Sequence, residues 1–145
     1  MIFANIVLAI LLILASKEDI DGRRIPNRLI IAGLYAFVAL TAWLIYHRRL
    51  TALYGCLLAG SLAFVLYLIP YIAGVMGAGD VKLALVTGLL LGWEDWLGYL
   101  AVFCAVSILV SAAALLIRRK KATALPLAPV MAAAYFLSLI ARGRS

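Results

Sequence analysis

Six apolar runs, each bounded by charge, glycine or proline, take up almost the whole of this chain: Ile2 to Ser16, Leu29 to Tyr46, Thr51 to Ala73, Val81 to Gly92, Trp96 to Ile117 and Ala124 to Ala141. A helix that crosses a bilayer needs about 20 mostly apolar residues, within a range near 17 to 25. The pattern therefore predicts an all-α membrane protein, a bundle of about six transmembrane helices with the fourth short. Composition excludes the soluble alternative. Of the 145 residues, 68% are hydrophobic, against roughly 45 to 50% in soluble domains, and the surplus on a soluble surface would drive aggregation. The first run could pass for the core of a signal peptide, but no basic stretch precedes it and no A-x-A site follows, so it reads as a retained helix. With no internal repeat and no loop long enough to carry a second folded unit, residues 1–145 are expected to form a single transmembrane domain.

The formal net charge of +7 does not point to nucleic acid, because Lys and Arg fall between the apolar runs instead of lining a continuous basic face interleaved with aromatics. Membrane orientation accounts for them better, since short cytoplasmic loops are rich in Lys and Arg. Six crossings put Lys17, Arg23, Arg24, Arg28, Lys82, Arg118, Arg119, Lys120 and Lys121 on one side, and Arg48, Arg49, Arg142 and Arg144 on the other. The richer side is expected to face the cytoplasm, with both termini outside. Glu94 and Asp95, between Trp93 and Trp96, then form an outer interfacial turn.

Asp80 is the residue that most invites a chemical reading. It follows Gly77-Ala78-Gly79 at the edge of an apolar run, and a carboxylate at membrane depth is costly and usually kept for a purpose. The loop after the first run carries three more candidates, Glu18, Asp19 and Asp21, and parity of crossings puts this loop and Asp80 on the same side. Two facing carboxyls cannot both ionise freely, so they share a proton. One can then take a proton from water while the other hydrogen-bonds a scissile carbonyl. Gly77 and Gly79 would let the loop approach a substrate backbone and adopt φ values closed to other residues.

Each of these residues also has a plainer reading. Asp80 could simply be the N-cap of the fourth helix. The acidic cluster could be a solvated turn with Arg23 and Arg24. Lys82 could pair with Asp80 or extend toward headgroups. Ile25-Pro26-Asn27 reads as a rigid turn, with Asn27 available to cap the second helix, and Pro126 and Pro129 suggest a bent start to the last one. His47, the single histidine, has no orienting partner and reads as a surface residue. Tyr67, Tyr71, Tyr99 and Tyr135 read as helix packing or interfacial belts. Cys56 and Cys104 sit in apolar runs without metal-ligand spacing and read as buried, inert thiols. No metal site or cofactor is expected.

Together, Asp19-Ile-Asp-Gly-Arg-Arg-Ile-Pro-Asn27, Met76-Gly-Ala-Gly-Asp-Val-Lys-Leu83 and Leu125-Pro-Leu-Ala-Pro129 resemble the type IV prepilin peptidase family, intramembrane aspartyl proteases of the GxGD type. The similarity extends over nearly the whole chain in segment number and motif order. It implies cleavage of prepilin precursors at the cytoplasmic face of the inner membrane, just after a short basic leader. It also implies Asp19 and Asp80 as the catalytic pair, with Asp21 the nearest rival to Asp19. Gly77 and Gly79 match the substrate-positioning loop, with Pro26 and Asn27 as the supporting turn. Larger family members carry an extra cytoplasmic domain with paired cysteines and methylate the new amino terminus. No such domain interrupts this sequence, so the resemblance is to the compact, peptidase-only branch of tight-adherence (Flp-type) pilus systems, with archaeal preflagellin peptidases as relatives. A small proton- or cation-coupled transporter using the same carboxylates is the competing class.

Overall fold

The computed structural model describes residues 2–22, 25–74, 76–117 and 127–142, which form six helices in chain order: α1 (Ile2–Gly22), α2 (Asn27–Tyr46), α3 (Leu50–Ile72), α4 (Ala78–Leu91), α5 (Trp93–Ile117) and α6 (Leu127–Arg142). No strand occurs among the described residues. By length and composition α2, α3 and the Trp93–Val110 part of α5 can each cross a membrane. The remaining helices are shorter or, in α1, carry charge in their last turns.

Apolar residues face both ways. On α1, Ala4, Leu8, Leu11, Leu12 and Ala15 are buried, while Phe3, Ile6, Ile10 and Ile13 are exposed on a second stripe of the same helix. Val38 on α2, Val65 and Ile69 on α3, and Ile108 and Leu109 on α5 are exposed as well. A helix apolar on every side has no stable place at a water interface. These outward stripes are a lipid-facing surface.

The centre of the bundle is α4. Val81, Leu83, Ala84, Val86, Thr87 and Leu89 to Leu91 are all buried, enclosed by α1, α2, α3 and α5. Its 14 residues extend only about 21 Å at 1.5 Å per residue, short of a hydrocarbon core about 30 Å thick. Shielding by neighbours is what allows so short an apolar helix at that depth. Thr87, the one hydroxyl on its buried face, donates to the Leu83 carbonyl at 2.8 Å.

Close approach to α3 fixes the position of α4. A Cβ on Gly88 would lie 2.6 Å from the Ala59 carbonyl oxygen and 2.8 Å from the Gly60 Cα, which leaves no room for any side chain there. Small residues at such a seam let two backbones touch, the usual source of helix association where lipid removes the hydrophobic drive. The same antiparallel register sets Gly55 against Trp93. At the other wall, α6 packs on α1, tied by the Tyr135 hydroxyl donating to the Asn5 carbonyl at 2.9 Å.

Several boundaries differ from the sequence expectation. The first helix runs on to Gly22, so Glu18, Asp19 and Asp21 stand on helix, not in a loop. The fifth begins at Trp93, and Trp96 is buried in the core instead of lying in an interfacial turn. Glu94 and Asp95 occupy the first turn of α5, where the helix dipole favours acidic side chains. Cys56 is buried as expected, but Cys104 is exposed on the outer face of α5. Arg23, Arg24, the basic residues 118–121 and Pro126 lie outside the described residues, while Pro129 sits in the first turn of α6, where a missing N–H costs no helical hydrogen bond.

Candidate active site

The inward stripe of α1 explains which acidic residue matters. Ala4, Leu8, Leu12 and Ala15 are followed, four residues further on, by Asp19, which is 7% exposed, whereas Glu18 and Asp21 point outward and are exposed. A buried carboxylate needs partners. The Ala128 backbone N–H donates to Asp19 Oδ2 at 3.1 Å. Ala128 is the second residue of α6, so this is one of the amides that a helix start leaves unpaired, at the positive end of the helix dipole.

Asp80 reaches the same end of the bundle from α4. It stands in the first turn, after the N-cap Gly77, and its Oδ2 accepts the Gly77 N–H at 3.2 Å. It is therefore the third helical residue closing back on the cap, not the cap itself as its sequence position suggested. Asp80 lies outside the three spanning segments and is half-buried. Burial, and then the charge of Asp19, push its carboxyl from the ordinary 3.8 up to about 6, against the pull of the Gly77 N–H. The two carboxyls stand in each other's field.

The glycines serve space, not unusual backbone geometry. Gly77 has φ −80° and Gly79 is helical, so neither uses the left-handed region expected from the sequence; Gly74 and Gly92 do, at φ 72° and 76°. A Cβ on Gly79 would sit 3.0 Å from the Ile25 Cβ, and one on Gly77 would sit 3.3 Å from Asp80 Oδ2. The Ile25-Pro26-Asn27 turn thus packs directly on the start of α4. Lys82 Nζ donates to Asn27 Oδ1 at 3.2 Å, holding the two segments together across 55 residues of sequence. The α2 cap is Pro26 with no side-chain hydrogen bond, so Asn27 receives Lys82 and does not cap the helix.

Asp19, Asp80, Gly77, Gly79, Lys82, Pro26 and Asn27 consequently gather at one end. His47 follows the last residue of α2 at the opposite end, its ring 4.5 Å from that of Trp43, and Glu94 and Asp95 are also at that end, beside Gly92. Tyr67 and Tyr99 are buried and both pack on Phe103, at 5.6 and 6.0 Å between centroids, which is the packing role expected of them. Among the described residues no three His, Cys, Asp or Glu side chains gather to hold a metal ion.

A model of the type IV leader peptidase family matches residues 6–141. The chain belongs to that family. The match spans all six helices, including both carboxylate-bearing segments, and membership supports a leader-peptidase function in a multi-pass membrane protein. A search of curated proteins returned no match, and a search of solved structures returned none.

One feature of this site escapes a reading by sequence. The α6 amide that holds Asp19 lies 109 residues away, and a backbone N–H leaves no mark in side-chain motifs. Burial of Asp19 instead of Asp21 was signalled, by its place four residues after Ala15 on the apolar stripe, once the helix is allowed to continue through the charges.

Proposed function

We propose that this leader peptidase is an intramembrane aspartyl endopeptidase in which Asp19 is the general base and Asp80 the general acid. Its substrates are type IV or Flp-type prepilin precursors. What supports the pairing above all is the raised Asp80 carboxyl, which feels both burial and the Asp19 charge. What supports the division of roles is that Asp80, desolvated and facing the Asp19 charge, binds its proton more tightly than an ordinary carboxyl, which leaves Asp19, its Oδ2 held by the Ala128 N–H, to act as the base.

In this reaction Asp19 takes a proton from a water whose oxygen attacks the scissile carbonyl carbon. Asp80 donates its proton toward the carbonyl oxygen and stabilises the negative charge developing there. The C–N bond then breaks as the amine leaves with the proton held by Asp19, while a hydroxyl of the tetrahedral intermediate returns its proton to Asp80 as the carbonyl of the product acid re-forms, so that the pair regains its starting state. No cofactor takes part. The packed Ile25 turn and the Lys82–Asn27 bridge hold Asp80's helix start at a fixed depth, and the exposed Gly77 leaves backbone accessible to an extended substrate.

The site is assigned to the cytoplasmic face of the cell inner membrane, with both termini outside, because six crossings would put nine of the thirteen Lys and Arg residues of the sequence on the side of Asp19 and Asp80. The whole chain, residues 1–145, acts as one domain. No observation favours a proton- or cation-coupled transporter. The test is incubation of the purified protein in lipid with a prepilin precursor, followed by amino-terminal sequencing of the product. A single new terminus at the boundary between basic leader and apolar helix is expected; intact precursor, under conditions where another leader peptidase cleaves it, would refute the assignment.

A further inference from the structure

Among the described residues four buried hydroxyls have no hydrogen-bond partner in the protein: Thr41 on α2, Tyr67 on α3, and Tyr99 and Ser107 on α5. By contrast, Ser16, Thr87 and Ser138 each turn back onto a carbonyl of their own helix, and Tyr135 reaches the Asn5 carbonyl. An unpaired hydroxyl in an apolar interior is costly and calls for an explanation. Thr41 belongs to the far end of α2, whereas Tyr67 and Tyr99 stand together. Both rings pack on Phe103, and their hydroxyls lie beside one another. A bond between the two would still leave one O–H without an acceptor.

The register of α3 on α4 carries this pair to the carboxylate end. Gly60 meets Gly88 and Leu89. In so antiparallel a pair, Tyr67 is two turns beyond Gly60 and Val81 is two turns before Gly88, about 10 Å along each helix. Tyr67 therefore stands level with the residue after Asp80, and its hydroxyl lies in the field of the Asp80 carboxyl. Of that carboxyl, Oδ2 accepts the Gly77 N–H, while Oδ1 accepts nothing from the described residues. Two hydroxyls and one carboxyl oxygen supply the two to four polar partners that a buried water needs. The charged and titratable groups around them are Asp19 from α1, Arg28 from α2, Tyr71 from α3, Cys104 from α5 and Lys82 on α4 itself. Asp19 is buried with Asp80, whereas the other four are exposed.

We propose that Tyr67 is a positioning residue for Asp80: ordered water held by the Tyr67 and Tyr99 hydroxyls joins the carboxyl at Oδ1 and hydrates it from inside the bundle. The two tyrosine O–H groups donate to the water oxygen, which turns the water's own hydrogens toward Asp80. Hydrogen bonds given to a carboxyl favour its ionised form and fix its rotamer. Without this link Asp80 would be still more desolvated. The role in proteolysis rests on Asp80 as the general acid, whereas the contact itself does not.

The test titrates the Asp80 carboxyl of the whole protein by infrared difference spectroscopy, its band identified by its loss in Asp80→Asn. Tyr67→Phe and Tyr99→Phe remove one oxygen each and keep both rings against Phe103. In Tyr67→Phe the Asp80 transition should move up by about half to one pH unit, the scale of one hydrogen bond. The band of the protonated carboxyl should shift to higher frequency. The alkaline limb of kcat/KM should move by the same amount as the transition, with kcat lowered and KM unchanged. Adding Tyr99→Phe to Tyr67→Phe should change the transition little further, because both hydroxyls serve one water link. A transition and band left in place by Tyr67→Phe, even with a lowered melting point, would overturn the proposal and leave the tyrosines as packing. A shifted transition in protein that cleaves no precursor would uphold the contact and refute the proteolysis.

Discussion

Holding the Asp80 carboxyl near pH 6 should make proteolysis fall off on the alkaline side. A group with that value is about 90% protonated at pH 5, half at pH 6 and about 9% at pH 7. If Asp80 must carry the proton, kcat/KM with a short precursor peptide should drop about tenfold per pH unit above 6. The assay is cleavage in detergent across pH 4.5 to 8.5, with initial rates at substrate well below KM so that the free enzyme is titrated. Direct titration by carboxyl infrared absorption gives the cause. In Asp19→Asn the like charge is gone, so the Asp80 transition should move down; burial is the larger cause, so it should remain above the ordinary 3.8. A rate that stays level to pH 8, or an Asp80 transition indifferent to Asp19, would refute the coupled pair.

Further consequences concern stability and fit. Because the folded protein binds the Asp80 proton more tightly than the unfolded chain, Asp80's contribution is fully present below about 3.8 and lost as pH rises through about 6. The thermal midpoint should therefore fall between pH 5 and 7, and Asp80→Asn should flatten that dependence; an unchanged slope in the variant would contradict it. Gly88→Ala forces a methyl against the Ala59 carbonyl and should cost about 1–3 kcal/mol, read as a lowered midpoint in detergent; an unaltered midpoint would show that the seam is loose. Lys82→Met removes the bridge to Asn27 at about 0.5–1.5 kcal/mol. It should lower kcat about three- to tenfold through misplacement of α4's first turn. The alkaline limb should stay near pH 6, because Lys82 is not among the causes that shift Asp80; a limb displaced by the substitution would contradict this.

The architecture was legible because apolar runs in a membrane protein report their helices directly, and the motifs around Asp19 and Asp80 carried the family. What the sequence obscured was where polar residues belong to helices. Lys17 to Asp21 look like a loop because charge interrupts the apolar run, yet the helix persists, since Asp19 finds a hydrogen bond inside and its neighbours reach outward. Gly77 and Gly79 looked like conformational hinges, but they are small for contact reasons, facing Asp80 and Ile25. Long-range partners such as Ala128 for Asp19 and Asn27 for Lys82 arise only when helices pack. A single sequence carries no trace of them.

Cleavage of a prepilin precursor by Asn variants at positions 19, 21 and 80, singly and in the 19/80 combination, tests the account most directly. The carboxyl pair working as one unit predicts that Asp19→Asn and Asp80→Asn each reduce cleavage to background, that the double variant is no worse than either, and that Asp21→Asn retains activity. Appreciable cleavage by either single variant at position 19 or 80, in protein that inserts and melts normally, or loss confined to Asp21→Asn, would contradict it.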